Sequence, residues 1–106
     1  MSRAEAERFA DILDAIQRCQ EYAPHLRSDA FASMAYDAVL RNLAVIGEAV
    51  RSLPTETREA MLGVPWASIG GLRNIVVHEY FRVNPDLILD ILDHELVDLA
   101  RAIRNH

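Results

Sequence analysis

The side chains best suited to chemistry lie between residues 73 and 80, which read Arg-Asn-Ile-Val-Val-His-Glu-Tyr. Arg73, His78 and Tyr80 supply a guanidinium, an imidazole and a phenol within a short segment. A guanidinium can hold a phosphate by two parallel hydrogen bonds, an imidazole can move a proton near neutral pH, and a phenol can donate a hydrogen bond or be modified. This combination suits phosphate chemistry. The alternative is a structural role for all three: an exposed arginine, a hydrogen-bonded histidine and a half-buried tyrosine.

The spacing of these residues restricts how they can work together. Each residue of a straight helix advances about 100°, so Arg73 and Tyr80 nearly coincide, whereas His78 lies about 140° from Arg73. One unbroken helix therefore cannot easily aim Arg73 and His78 at the same phosphate. Either the helix is distorted or ends near His78, or a site combines Arg73 of one chain with His78 of another across a two-fold dimer.

Length and composition indicate one ordinary globular domain over residues 1–106, with 51% hydrophobic residues. No segment approaches the roughly 18 uncharged apolar residues of a membrane span, and the charged N-terminus lacks a signal-peptide core. We therefore expect a cytoplasmic protein without membrane contact. Cys19 is the only cysteine, which excludes an internal disulfide and a cysteine-based metal site.

The formal net charge of -5 argues against a protein that coats nucleic acid, because non-specific affinity comes mainly from cations that neutralise phosphates. It does not exclude an enzyme, which needs positive charge only at the scissile phosphate. All eleven basic residues are arginine.

Apolar residues at spacings of three and four predict an all-α fold, an antiparallel bundle of four to five helices. Helix one should run from Arg3 to Tyr22, before Pro24. Helix two should be capped by Ser28 or Asp29 and continue to Pro54. The residues expected on the buried faces of these two helices are Ala6, Phe9, Ile12, Leu13, Ile16, Cys19, Phe31, Met34, Ala35, Ala38, Leu43, Ile46, Val50 and Leu53.

The second half of the chain predicts three more helical segments. A short helix should span residues 55–62 with Thr55 as its cap, and another should start near Pro65 and bury Trp66, Ile69 and Leu72. Residues 75–77 are β-branched, but we assign them to a helix because no second strand is visible. The last helix should have Asn84 as its cap and Pro85 in its first turn, and should bury Leu87, Ile88, Ile91, Leu92, Val97, Leu99 and Ile103.

Two groups of charged residues also have helical spacing. Asp37, Arg41 and Glu48 fall nearly in line on helix two, either as a solvated ion-pair stripe or as a row that faces a cleft or partner. Asp86, Asp90 and Asp93 are acidic residues near a helix N-terminus, where a solvated face that complements the helix dipole is expected. We predict no metal site and no cofactor.

Three segments resemble the HepT-like proteins of the HEPN superfamily. Residues 73–80 contain that family's Arg-x4-His-x-Tyr motif, with the polar Asn74 directly after the arginine. Residues 41–49, Arg-Asn-Leu-Ala-Val-Ile-Gly-Glu-Ala, resemble its second-helix signature, and residues 64–72, Val-Pro-Trp-Ala-Ser-Ile-Gly-Gly-Leu, resemble its lead-in to the motif. The resemblance covers nearly the whole chain and is weakest over the first thirty residues.

This resemblance implies a HEPN-like bundle and a metal-independent endoribonuclease that acts as the toxin of a type VII-like toxin and antitoxin pair. It implies catalytic roles for Arg73 and His78, a supporting role for Asn74, and an RNA substrate. It also implies a homodimer with the motif at its interface, which favours a site shared between two chains. The cognate partner would be an MntA-like minimal nucleotidyltransferase that transfers AMP to Tyr80.

A second interpretation keeps the fold and removes the catalysis. In it the chain is a helical docking module that binds a nucleotidyltransferase and helps to bind its nucleotide or substrate. The acidic net charge favours this interpretation, and metal-free RNA cleavage by the purified protein separates the two.

Overall fold

The computed structural model describes residues 3–27, 30–74 and 85–106. These ranges are helical and contain no strand, which confirms the all-α fold. The helices are α1 (Arg3–Tyr22), α2 (Ala32–Arg51), α3 (Thr55–Ala60), α4 (Trp66–Gly70), α5 (Pro85–Asp90) and α6 (Leu96–Arg104). A 3-10 turn (Ala23–His25) follows α1, and a π-helical stretch (Ile91–Glu95) joins α5 to α6. Residues 72–74 are helical again after a turn at Gly71.

The helices α1 and α2 form an antiparallel pair. Each has 20 residues, and is therefore about 30 Å long. The thiol of Cys19, near the end of α1, lies 4.0 Å from the carbonyl oxygen of Val39, near the start of α2. At the opposite end, the Thr57 hydroxyl of α3 donates to the Glu5 carboxylate of α1 at 2.9 Å. The two long helices consequently run in opposite directions.

The buried apolar residues that the structure describes form one core among α1, α2 and the C-terminal α5–α6 helix, and α4 closes it by packing against α2. Burial of each large aliphatic side chain contributes about 1.5–3 kcal/mol relative to exposure, so this core is the main source of stability. Its largest fully buried side chains are Ile12, Leu43, Ile46, Ile69, Leu72, Ile88, Leu92, Leu96, Leu99, Val39 and Val50.

The structure corrects several predicted helix ends. Thr55 is not a cap: Pro54 holds the N-cap position of α3, Thr55 is the first helical residue, and the helix ends at Ala60. Phe31 holds the N-cap position of α2 without a side-chain capping bond, while the predicted caps Ser28 and Asp29 lie outside the described residues. Pro85 lies in the first turn of α5, as expected. Its predicted cap Asn84 and residues 75–77, which were assigned to a helix, lie outside the described residues.

Four predicted core residues are exposed. Phe31 is 54% exposed because it precedes the first turn of α2, and Met34 is 71% exposed because it lies about 100° around the helix from the buried Ala35. Leu87 and Ala6 also face solvent, each in the first turns of its helix, before the part that enters the core. Regular spacing identified most of the buried face but overestimated its extent at the helix starts.

The connection from α3 to α4 places the segment that carries Arg73. Gly63 lies in the turn after α3 and adopts a φ of 83°, in the left-handed region that favours glycine. The indole Nε1 of Trp66 then donates to the carbonyl oxygen of Arg58 at 2.9 Å, which ties the first turn of α4 to α3. Pro65 occupies the N-cap position immediately before α4.

Candidate active site

Arg73 is placed by the apolar residues that precede it. Ile69 and Leu72 are both fully buried, and they hold α4 and residues 72–74 against the core. Arg73 follows Leu72 and lies about 100° further around the helix, away from the buried face. Its side chain is 53% exposed. The guanidinium is therefore on an anchored backbone but open to solvent.

The helical segment before Arg73 is fastened to α2 by polar contacts as well. Arg51, in the last turn of α2, donates from Nε to the carbonyl oxygen of Gly70 at 2.9 Å. A helix C-terminus leaves carbonyl oxygens without intrahelical partners, so this bond satisfies one of them. Sequence reasoning did not single out Arg51. Arg51 lies one helical turn after Gly47, a residue of the second-helix signature, and this position was the signal in the sequence that could have identified it.

Glu48 of α2 pairs directly with Arg73. Its Oε1 lies 2.8 Å from Nη1 of Arg73, and both side chains are 53% exposed. The predicted row of charged residues on α2 therefore reaches the motif through its last member. A half-exposed ion pair contributes only about 0–1 kcal/mol, so this pair adds little to the stability of the fold.

Asn74 follows on the surface. Its side chain is exposed, and its backbone N–H donates to the carbonyl oxygen of Gly71 at 3.0 Å. His78 and Tyr80, the other two residues of the predicted site, lie outside the described residues. The geometry of the candidate site therefore rests on Arg73, Asn74 and the α2 residues that meet them.

The remaining predicted cleft residues border the surface between α1 and α2. Two open hollows lie there side by side and share Asp11, Arg41 and Val45. Asp37 lines one hollow and Glu48 lines the other, so the three predicted residues Asp37, Arg41 and Glu48 do follow one surface.

The charges along this surface are mixed. Ion pairs join Arg8 to Asp11 at 3.8 Å and Arg18 to Asp14 at 3.0 Å on the α1 side. Sequence analysis had not selected these α1 residues. Opposite charges at spacings of three and four on one helix are the signal of a solvated surface, and such pairs contribute little to stability.

Two of the three acidic residues considered on the C-terminal helix, Asp86 and Asp90, pair with other side chains. Asp86 pairs with Arg27, and Asp90 Oδ1 lies 3.1 Å from Nδ1 of His94. Across the described ranges, no group of three or more histidine, cysteine or acidic side chains is arranged to hold a metal ion.

None of the described helices is both long enough and apolar enough to span a bilayer.

Comparisons with known proteins confirm the family resemblance. Residues 12–105 match the family model described as Ribonuclease HepT-like. "Putative RNase TTE0752" of Caldanaerobacter subterraneus subsp. tengcongensis is 35% identical over 94 residues, which cover 84% of each chain. "Putative RNase MJ1380" of Methanocaldococcus jannaschii is 31% identical over 106 residues, which cover 97% of each chain. "Probable ribonuclease HepT" of Thermococcus cleftensis is 25% identical over 101 residues, which cover 93% of this chain and 92% of that one. No solved structure gave a significant match. The chain therefore belongs to the HepT-like ribonuclease family.

Proposed function

We propose that this protein is a metal-independent endoribonuclease and the toxin of a toxin and antitoxin pair. The observation that carries the proposal is the state of Arg73: its backbone is anchored by buried neighbours, while its guanidinium is half exposed and held by Glu48 at 2.8 Å. An arginine that served only to stabilise the fold would gain little from such an arrangement. An arginine that must meet a phosphate in a defined orientation needs both features.

The proposed reaction is an internal transesterification. The ribose 2′ oxygen attacks the adjacent phosphorus, His78 accepts the proton of that hydroxyl, and the bond from phosphorus to the 5′ oxygen breaks. The products are a 2′,3′-cyclic phosphate and a 5′-OH end, so no metal is required. His78 suits the base role because its unperturbed pKa, roughly 6.5, lies near the working pH.

Arg73 would stabilise the charge that develops on the phosphoryl oxygens. A guanidinium has five N–H donors, and the contact with Glu48 is made through Nη1. The donors that remain suit a phosphate oxygen, and the pair with Glu48 limits rotation of the group. Asn74, exposed next to Arg73, would orient the phosphate or the histidine.

We further propose that each site is shared by two chains. The angle of about 140° between Arg73 and His78 on a straight helix makes a single-chain site difficult, whereas a two-fold dimer can bring Arg73 of one copy to His78 of the other. The leaving 5′ oxygen would take its proton from solvent, so that each site needs one Arg73 and one His78.

A mixing experiment tests this shared site. Arg73→Ala and His78→Ala chains are each expected to be inactive alone. A mixed dimer has one site in which both residues are lost and one site that is intact, so part of the activity should return. Verified mixed dimers without activity would place Arg73 and His78 of each site in the same chain.

Tyr80 is proposed as the point of control. A phenol with a pKa near 10 is a poor base at pH 7, but it can act as a nucleophile when a partner enzyme activates it. Its oxygen would attack the α-phosphorus of ATP on an MntA-like nucleotidyltransferase, pyrophosphate would leave, and AMP would remain on the tyrosine. Negative charge and bulk close to Arg73 and His78 would then exclude RNA.

The decisive experiment is RNA cleavage by the purified protein in excess EDTA. Cleavage that produces 2′,3′-cyclic phosphate ends and disappears in Arg73→Ala and His78→Ala supports the proposal. A dimer that binds the nucleotidyltransferase but cuts no RNA would contradict it and favour the docking module. The acidic net charge and the mixed charges along α1 and α2 are the features that would suit such a module.

A further inference from the structure

Gly47 lies in the interior of α2, where glycine is an unfavourable residue for a helix. It faces the segment that carries Arg73. A Cβ atom at this position would lie 3.2 Å from the backbone nitrogen of Arg73, 3.6 Å from its Cβ and 3.7 Å from the carbonyl oxygen of Ile69. The absence of a side chain at Gly47 therefore lets the backbone of Arg73 rest almost directly on the backbone of α2.

The other helical glycine near the site has different surroundings. A Cβ at Gly70 would meet only the Cγ of Arg51 within 4 Å, at 4.0 Å, which is an ordinary contact with a flexible side chain. A methyl group is consequently tolerated at Gly70 but crowded at Gly47. The two positions form a matched pair for the same substitution.

The residue after Gly47 contacts the same arginine in a second way. Glu48 holds the Arg73 guanidinium through Nη1 at 2.8 Å. Two consecutive residues of α2 thus meet both ends of Arg73, one at its backbone and one at its charged group. Since α2 is packed into the core on both sides of this point, at Ile46 and Val50, it offers a rigid support.

We propose that Gly47 and Glu48 are positioning residues for Arg73: Gly47 sets the distance of its backbone from α2, and Glu48 sets the direction of its guanidinium. The catalytic meaning of this arrangement rests on the function proposed above. Interactions that stabilise a transition state act through kcat when the substrate binds without them. A displaced Arg73 should therefore reduce turnover more than it weakens RNA binding.

The first test compares Gly47→Ala with Gly70→Ala. The added methyl at Gly47 must push the backbone of Arg73 by a few tenths of an ångström. Because the guanidinium is then displaced, we expect kcat to fall about tenfold while KM changes less than about threefold. Gly70→Ala should leave both constants close to wild type. Equal losses in the two variants, or wild-type kcat in Gly47→Ala, would overturn the role of Gly47.

The second test removes the carboxylate. Glu48→Ala should lower kcat about tenfold, and Glu48→Gln should recover most of that loss because its amide oxygen can still accept from Nη1. Wild-type kcat in Glu48→Ala would refute its positioning role. Because the Glu48 side chain is half exposed, its replacement leaves the core packing unchanged. This test is therefore independent of whether the core tolerates a methyl at Gly47.

A third readout does not require cleavage. The Nε–Hε resonance of Arg73 in ¹⁵N NMR spectra should shift in Gly47→Ala and Glu48→Ala and should stay in place in Gly70→Ala. If wild type cuts no RNA but these shifts occur, the proposed function fails and the positioning stands. An unchanged Arg73 resonance in both Gly47→Ala and Glu48→Ala would overturn the positioning whether or not RNA is cut.

Discussion

Replacing Arg73 by alanine should separate function from stability. Its side chain is 53% exposed, as is that of its partner Glu48, so their pair contributes about 0–1 kcal/mol to folding. Alanine is also at least as favourable as arginine within a helix. For a domain of this size 1 kcal/mol shifts Tm by about 4–8 °C, and we expect the variant to remain inside that range.

The expected effect on cleavage is much larger. Removal of one donor that stabilises an oxyanion lowers kcat by about 10²–10³, which corresponds to about 2.7–4 kcal/mol of transition-state stabilisation. In the proposed reaction Arg73 would supply a full positive charge at the phosphate, so the effect of its loss should fall at the upper end of this range. The free energy lost from the transition state thus exceeds the free energy lost from folding several times over.

The assay pairs thermal unfolding, followed by circular dichroism, with cleavage of labelled RNA in EDTA. Arg101→Ala is the control, because Arg101 forms a comparable surface ion pair with Asp98 at 3.6 Å on α6. It should change stability as little as Arg73→Ala and should keep full activity. Retained cleavage in Arg73→Ala would refute the catalytic interpretation. Lost cleavage together with a fall in Tm of more than about 10 °C would refute it as well and assign Arg73 to the fold.

The remaining predictions concern control, ionisation and packing. Tyr80→Phe should keep appreciable RNase activity but accept no AMP and stay toxic beside its nucleotidyltransferase; mass spectrometry that finds AMP elsewhere would contradict this. Burial raises the pKa of the Cys19 thiol to about 12, so a thiol reagent should react only on unfolding. The unfolded thiol ionises near pH 8.5, so the stability that the raised pKa of Cys19 contributes should be complete below that pH and disappear as the pH rises toward 12. Denaturant titration at several pH values measures this loss. Leu43→Ala in the core should cost about 2–5 kcal/mol in the same titration, whereas Leu62→Ala, at a side chain 89% exposed, should change stability by less than about 0.5 kcal/mol.

Much of the fold could be predicted because helical periodicity is a local property. The spacing of Phe9, Ile12, Ile16 and Cys19 identified the buried face of α1, and all four are buried. The start of the last helix at Pro85 follows from the fixed φ of proline, which suits a first helical turn. The π-helical stretch at Ile91–Glu95 was not predicted, since an altered hydrogen-bond register leaves no clear mark in residue types.

For the candidate site, the sequence by itself selected the residues: the residue types and spacing of the motif predicted a site at Arg73, His78 and Tyr80, and the charged row on helix two included Glu48. Only the tertiary structure decided that Glu48 contacts Arg73 and that Gly47, and not Gly70, lies against its backbone. The periodicity of one helix specifies which face is buried, but not the point at which another helix crosses it. That point depends on how side chains of both helices interlock, and at Gly47 it depends on the space that a missing side chain leaves.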